Sequence, residues 1–249
     1  MRLTNYHTHT VFCDGKNTPE EMVKRAISLG MDEIGFSTHS ELCRDIDGYR
    51  CTVLALKEKY SDKISIKLGI EYDYFSDVDT SEYDYVIGGV HYLERGGKLL
   101  QLDHSEEWFL PLADEYYGGD IYALCEHYYE TVAKVYDKTG CDIVAHFDLV
   151  TKYNEGNKIF NTAHPRYVKA ARAALEVLTK KPVIFEINTG AIARGYRTAA
   201  YPEKSLIDII LDSGCDTILS SDCHNMDYLT ESFDRYRHLA TLDRLPAKK

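Results

Sequence analysis

The sequence predicts an α/β fold, with seven strands alternating with helices around a parallel sheet that is either open or closed into a barrel. Three observations carry that expectation. Apolar, β-rich runs recur along the chain and each is followed by a helical run. The chain has 249 residues, 44% of them hydrophobic, which is enough for one large core and typical of a single-domain α/β barrel. No Pro/Gly/Ser-rich linker or short repeat divides it, so one domain over residues 1–249 is expected.

The strands are expected at residues 3–6, 33–37, 65–70, 85–90, 142–145, 183–187 and 217–221, and helices at 19–29, 121–138, 166–180 and 203–213. The first helix is the best marked. Thr18 is an N-cap, Pro19 occupies the first helical position, Glu21 completes a capping box, and Gly30 follows as the C-terminal stop. Residues 93–119 break the rhythm: Gly96-Gly97 sits between short apolar runs, followed by Trp108 and Asp114-Glu115-Tyr116-Tyr117. This reads as an excursion of the loop after the fourth strand, folding near the barrel mouth.

Composition excludes several classes. The formal charge is -11, which disfavours broad binding to nucleic acid or acidic membranes. No run approaches the ~18 apolar residues of a membrane span, and the N-terminus lacks a signal-peptide apolar region. Seven cysteines with no C-x-x-C pair argue against a disulfide framework or thiolate zinc site. A cytoplasmic enzyme is the expectation.

The positions of the histidines point to a chemistry. His7 and His9 follow the first strand and His39 the second; Glu71 ends the third, His91 the fourth and His146 the fifth; Asp222 and His224 follow the seventh. In a β/α barrel the C-terminal strand ends share one mouth, so these residues converge. A single histidine at a strand end is more often an ordinary hydrogen-bonded residue. His7-x-His9 is stronger, because alternate residues of an extended segment face one side. Eight such residues at six of seven strand ends indicate a metal site, which Asp14 can also reach. Mixed imidazole and carboxylate ligation suits zinc, iron or manganese without choosing among them. His104, His127, His164 and His238, with Cys13 and Cys223, read as packing or loop residues, as do most of the 20 tyrosines.

These residues resemble the polymerase and histidinol phosphatase (PHP) family. The matching stretches are His7-Thr8-His9-Thr10, Asp14-Gly15, Phe36-Ser37-Thr38-His39, Gly69-Ile70-Glu71, Val90-His91, Ala145-His146 and Ser221-Asp222-Cys223-His224. Two more stretches are similar to the histidinol-phosphate phosphatase branch: Tyr116-Tyr117-Gly118-Gly119-Asp120-Ile121, and Glu186-Ile187-Asn188-Thr189-Gly190 with Arg194 and Arg197 downstream. The resemblance implies a distorted seven-stranded (β/α)7 TIM-like barrel with three divalent metal ions. His7, His9, Glu71 and Asp222 would hold one ion; Glu71 would bridge to a second held by His91 and His146; Asp14, His39 and His224 would hold the third. Position 14 is histidine in some members, and aspartate makes this third site harder and more oxygen-rich.

The implied reaction is hydrolysis of L-histidinol phosphate to L-histidinol and phosphate, a step of histidine biosynthesis. Three divalent ions against Asp14, Glu71 and Asp222 leave roughly three positive charges, a natural seat for a phosphomonoester. A water shared between ions would supply hydroxide near neutral pH, so no phosphoenzyme is expected. Asp222 or His224 would relay the proton to the leaving group. Arg194 and Arg197, with Arg197 ahead, would bind phosphate, and Glu115 would contact the amino-alcohol. The rivals are a PHP-type enzyme acting on phosphotyrosine or nucleotides, a metal-dependent amidohydrolase or deaminase, and a binding protein without turnover.

Overall fold

The computed structural model describes residues 2–247. Its strands in chain order are β1 (Thr4–Asn5), β2 (Glu33–His39), β3 (Ser65–Asp73), β4 (Tyr85–Gly89), β5 (Tyr92–Arg95), β6 (Lys98–Gln101), β7 (Ile143–Val144), β8 (Ile184–Asn188) and β9 (Thr217–Ser220). Seven form one parallel sheet in the order β1-β2-β3-β4-β7-β8-β9, while β5 and β6 pair as a separate antiparallel hairpin. The sheet curls until its edges meet. At the seam β1 and β9 share no regular ladder; Asn5 Nδ2 donates to Ser221 Oγ at 2.6 Å, and the His9 N–H donates to the Cys223 carbonyl at 2.9 Å. The result is the nearly closed, distorted seven-stranded barrel that was expected.

Inside the barrel, Tyr6, Tyr85, Ile87, Ile143, Ala145, Ile184 and Ile218 form an apolar plug, and Leu242 and Leu245 of the C-terminal segment pack on it. Tyr85 fills much of this space. A Cβ on Gly35 or Gly69 would come within 2.3 Å or 2.2 Å of the Tyr85 side chain, so both β2 and β3 need glycine there. The Tyr85 hydroxyl is shared between the carbonyls of Tyr6 and Phe36. Further along β8, the inward residues change from Ile184 to Glu186 and Asn188, so the interior is apolar at one end and polar at the other.

The helices cover the outside. α1 (Pro19–Ser28) has the expected capping box, Thr18 accepting from the Glu21 N–H. α2 (Ile46–Lys59) was not among the expected helices. Its apolar face is thin, only Tyr49, Val53 and Leu56 being buried, so its periodic signal is weak. The excursion contains the β5–β6 hairpin, α3 (Glu106–Phe109) and α4 (Leu112–Tyr117). The single helix expected over 121–138 is two, α5 (Ile121–Val132) and α6 (Val135–Thr139). Next to the break, the Thr131 hydroxyl donates to the His127 carbonyl at 2.9 Å, a back-bond that competes with the helical ladder. α7 (Pro165–Leu178), α8 (Gly190–Ala193), α9 (Lys204–Asp212) and α10 (Phe233–Tyr236) complete the set, and no helix among the described residues is long and apolar enough to cross a membrane.

Replacing Tyr85 with Phe leaves its volume but strands two buried carbonyls. It is expected to cost about 1–3 kcal/mol in urea unfolding, and an unchanged midpoint would show that the hydroxyl contributes nothing.

Candidate metal centre

The polar end of the barrel is built by strand extension. β2 runs on to His39 and β3 to Asp73, so His39 and Glu71 lie in register as parallel partners within the sheet. His7 and His9 sit just after β1, His91 just after β4, His146 just after β7, and Asp222 and His224 just after β9. Asp222 adopts φ 45, a left-handed conformation rare for a residue with a Cβ. This twist turns Asp222 inward while Cys223 is buried among the outer core residues.

Glu71 is the centre of the arrangement. Its Oε2 lies 3.2 Å from His7 Nε2, 3.5 Å from His9 Nε2 and 2.9 Å from His39 Nδ1. Its Oε1 lies 3.2 Å from His91 Nε2 and 3.0 Å from His146 Nε2. Asp222 Oδ1 faces His9 Nε2 at 3.2 Å and His7 Nε2 at 3.7 Å. Asp14 Oδ1 faces His224 Nε2 at 3.2 Å and His39 Nε2 at 3.7 Å. The His9 ring is stacked between those of His39 and His224, each 4.2 Å away.

These atoms fit metal ions better than one another. His7 Nε2, His9 Nε2, His39 Nδ1 and Glu71 Oε2 are buried and make no hydrogen bond despite their closeness. His91 Nε2 and His146 Nε2 approach to 3.2 Å, two nitrogens aimed at one spot. Donor atoms close enough to share an ion occur in four sets: His7, His9 and Asp222; Glu71, His91 and His146; His9, Asp14, His39 and His224; and His39, Glu41 and His91. The first three bring together the expected residues; the fourth adds Glu41.

Charge in the cluster follows from burial and neighbours. Burial opposes ionisation of Glu71 and Asp222, yet both stay well below the ordinary carboxylate range, Glu71 through His7, His39 and His91, Asp222 through Arg194 and His7. Burial, reinforced by His224 and His39, keeps His9 neutral. For His39 burial is outweighed by Glu71 and Glu41, raising it to about 10; His7 and His91 are raised against burial in the same way.

Above the cluster lies a mouth of about 410 Å³. Arg194 lines it, donating to Asp222 Oδ2 at 3.0 Å and lying 2.9 Å from His224 Nδ1. Arg197 does not line it: its guanidinium donates to Thr151 Oγ1 at 2.6 Å and stacks over Tyr201. Glu115 is exposed on α4 and is also outside the mouth. The excursion instead contributes Gln101, Asp103 and His104, and the loop after β7 contributes Lys152. Sequence reasoning passed over Glu41, Asp73, Asp103, Lys152 and Glu186. His39-x-Glu41, Glu71-x-Asp73 and Glu186-x-Asn188 repeat the alternation used for His7-x-His9, so three of these five were within reach. A second cavity of about 450 Å³ at the opposite end has no histidine, and its carboxylates hold structure: Asp84 accepts from Lys57, Asp142 from the Val86 N–H and Asp216 from Thr241.

A metal ligand must be a neutral imidazole. The raised His7, His39 and His91 therefore carry protons at neutral pH in the metal-free protein, and metal uptake must expel them. Affinity is expected to rise with pH from about 6 to 9, and calorimetry should give heats that depend on the buffer's ionisation enthalpy. Buffer-independent heats would overturn this.

Known proteins share this fold. The sequence matches the PHP domain family over residues 5–190. The histidinol-phosphatase of Bacillus subtilis is 24% identical across 94% of this chain and 98% of its own. That of Lactococcus lactis is 25% identical across 76% of this chain and 72% of its own. A crystal structure of histidinol phosphate phosphatase from Lactococcus lactis, complexed with zinc, L-histidinol and phosphate, superposes with a TM-score of 0.75 at 22% identity, covering 96% of this chain and 92% of that one. With the family matched over most of its length and its buried histidines and carboxylates gathered at one barrel end, this chain belongs to the PHP domain family and is a metal-dependent phosphoesterase.

Proposed function

We propose that the chain hydrolyses L-histidinol phosphate to L-histidinol and inorganic phosphate. The observation that carries this reading is the mixed charge of the mouth above the cluster. Arg194 and Lys152 supply fixed positive charge, while Glu41 and Asp103 supply negative charge. A substrate with a phosphate at one end and an ammonium at the other matches both signs. The named activity of the Bacillus subtilis and Lactococcus lactis relatives supports the same substrate.

Three ions are assigned here: one to His7, His9, Glu71 and Asp222, a second to Glu71, His91 and His146, a third to Asp14, His39 and His224. Zinc in the Lactococcus lactis structure makes zinc one candidate beside iron and manganese. When bound, such ions lower the pKa of water towards ~7 and bring hydroxide within reach of neutral pH. The chain's own residues do the rest.

Arg194 presents its fork at the mouth and holds one oxygen of Asp222, so it can turn to phosphate without leaving the site. Lys152 takes the second phosphate-binding place that sequence reasoning gave to Arg197. Its ammonium donates to the Asp103 carbonyl at 2.8 Å, and burial lowers its pKa. Glu41 lies 3.5 Å from His39 Nδ1 and pairs with no lysine or arginine among the described residues. It also lies 3.8 Å from His91 Nδ1; burial raises its carboxyl against these two rings, and once the rings are neutral ligands a substrate ammonium would supply the compensating cation. Tyr196 and Leu42 offer an apolar wall for an imidazole. Of the two proton carriers expected, Asp222 is the weaker because its carboxyl is held so far down. His224, at the rim with a side chain 20% exposed, is the better placed.

The direct test is phosphate release from L-histidinol phosphate, p-nitrophenyl phosphate and a nucleotide monophosphate, with iron, manganese or zinc supplied. L-histidinol phosphate should win by orders of magnitude in kcat/KM, and His9→Ala or Asp222→Ala should abolish turnover. Similar slow rates on every ester would sink the substrate assignment while sparing the phosphoesterase. Lys152→Met should lose about 10–100-fold in kcat/KM on every ester, the worth of one charged hydrogen bond. Glu41→Gln should lose about tenfold on L-histidinol phosphate alone. An equal loss on p-nitrophenyl phosphate would remove Glu41 from amine recognition.

A further inference from the structure

β8 is the one barrel strand whose end supplies no metal ligand, yet its inward carboxylate is among the most deeply buried charges in the molecule: Glu186 is 1% exposed. We propose that Glu186 is a positioning residue that locks the tautomer and orientation of His7 and ties the His7 and His146 segments together. This inference rests on the metal-centre reading.

The geometry is specific. Glu186 Oε1 lies 2.6 Å from His7 Nδ1, the ring nitrogen that faces away from the cluster. His7 Nε2 faces the cluster, 3.2 Å from Glu71 Oε2 and without a hydrogen bond of its own. A carboxylate behind the ring keeps a proton on Nδ1, so when metal uptake expels the other proton the lone pair is left on Nε2, where an ion would sit. The other oxygen of Glu186 accepts from the His146 backbone N–H at 2.9 Å. One rigid carboxylate on a strand thus reaches the histidine after β1 and the histidine after β7. Asn188, on the same face of β8, fixes it in turn: Asn188 Nδ2 donates to Glu186 Oε2 at 2.9 Å and lies 3.4 Å from Asp222 Oδ2. Glu186 cannot itself be a ligand of the ion at His7, since the imidazole stands between. Asp73 holds His91 in a comparable way, its Oδ2 lying 3.1 Å from His91 Nδ1, but it reaches only one ligand.

Glu186→Gln keeps the shape but not the acceptor capacity. The amide oxygen can serve His7 or the His146 N–H but not both, and the charge is gone. His7 should then lose its fixed tautomer and much of its basicity. Outer carboxylate partners of ligating histidines are worth about 10–100-fold in metal affinity. The experiment is competition of purified metal-free protein with a chromophoric chelator, using zinc alone as probe, with bound zinc counted by mass spectrometry. Thermal melting of the metal-free proteins serves as the folding control. In Glu186→Gln one equivalent should weaken by about 10–100-fold while the others hold. Activity should return as zinc is raised, a rescue that a merely structural role would not give. Unchanged affinity in a folded variant would overturn the assignment of Glu186. Wild-type protein that takes up no zinc, iron or manganese would overturn the metal centre itself, a separate outcome. Should Glu186→Gln not fold, Glu186→Asp keeps the charge but falls one methylene short. The same loss of affinity is expected there, and wild-type affinity would overturn the proposal.

Discussion

A carboxylate with no access to water sets the terms for everything around it. Glu71 is 0% exposed, and an ionised carboxylate in such a place is costly unless cations or strong donors surround it. Five imidazoles from the ends of four other strands crowd its two oxygens: His7, His9 and His39 on one, His91 and His146 on the other. This division into two sides is a property of the barrel. β3 lies at the centre of the five strands β1-β2-β3-β4-β7, and the curl of the sheet turns the ends of its first and second neighbours towards Glu71. The imidazoles that compensate its charge thus come from both sides of β3, and Glu71 stands where it could be shared between divalent ions held there.

The surrounding protein then has to choose which nitrogen of each histidine faces inward. It does so differently around the ring. His7 and His91 have carboxylates behind them, Glu186 and Asp73, whereas His9 has only the Cys13 thiol at 3.5 Å. His9 is instead clamped by stacking between His39 and His224, which fixes its plane without fixing its proton. These histidines therefore differ in what holds the nitrogen turned away from the cluster: a carboxylate for His7 and His91, a thiol for His9.

The fold was legible because its signals are local and repeated: capping at Thr18, glycine after the first helix, and apolar runs at regular intervals. Eight of the nine metal-capable residues were legible because a barrel gathers the ends of its strands at one mouth, so position along the chain was enough; Asp14 lies in the loop after His9 and was placed only by its nearness in sequence. The break at Ala133 was not legible, because no glycine or proline marks it; the Thr131 hydroxyl bonded back to the His127 carbonyl is the local feature beside it. Nor were Lys152 and Asp103, which meet only because the excursion folds over the loop after β7, a tertiary contact with no period in the sequence. The engagement of Arg197 away from the mouth was hidden for a related reason. Nothing local announces that Asp148, buried on that same loop, stands 3.7 Å away to claim it.

Charge placement resolves an apparent conflict between a chain of net charge -11 and an anionic substrate. The mouth itself is rich in acid: Asp14, Glu41, Glu71, Asp103 and Asp222 all line it, against Arg194 and Lys152. Its side chains alone leave little free positive charge for phosphate, because Arg194 and Lys152 are already engaged with Asp222 and Asp103, and His39 and His91 with Glu71. Divalent ions on the histidine and carboxylate sets would make the local field positive, because each would add two positive charges where the carboxylates converge. The acidic exterior then works as a filter, since extended polyanions meet repulsion before reaching the cluster. A small phosphate ester could reach ions held at the bottom, while Glu41, with no lysine or arginine beside it among the described residues, could receive a cation at the rim. Under the proposed assignment, selection of a zwitterionic ester would follow from where the negative charge is neutralised and where it is left uncovered.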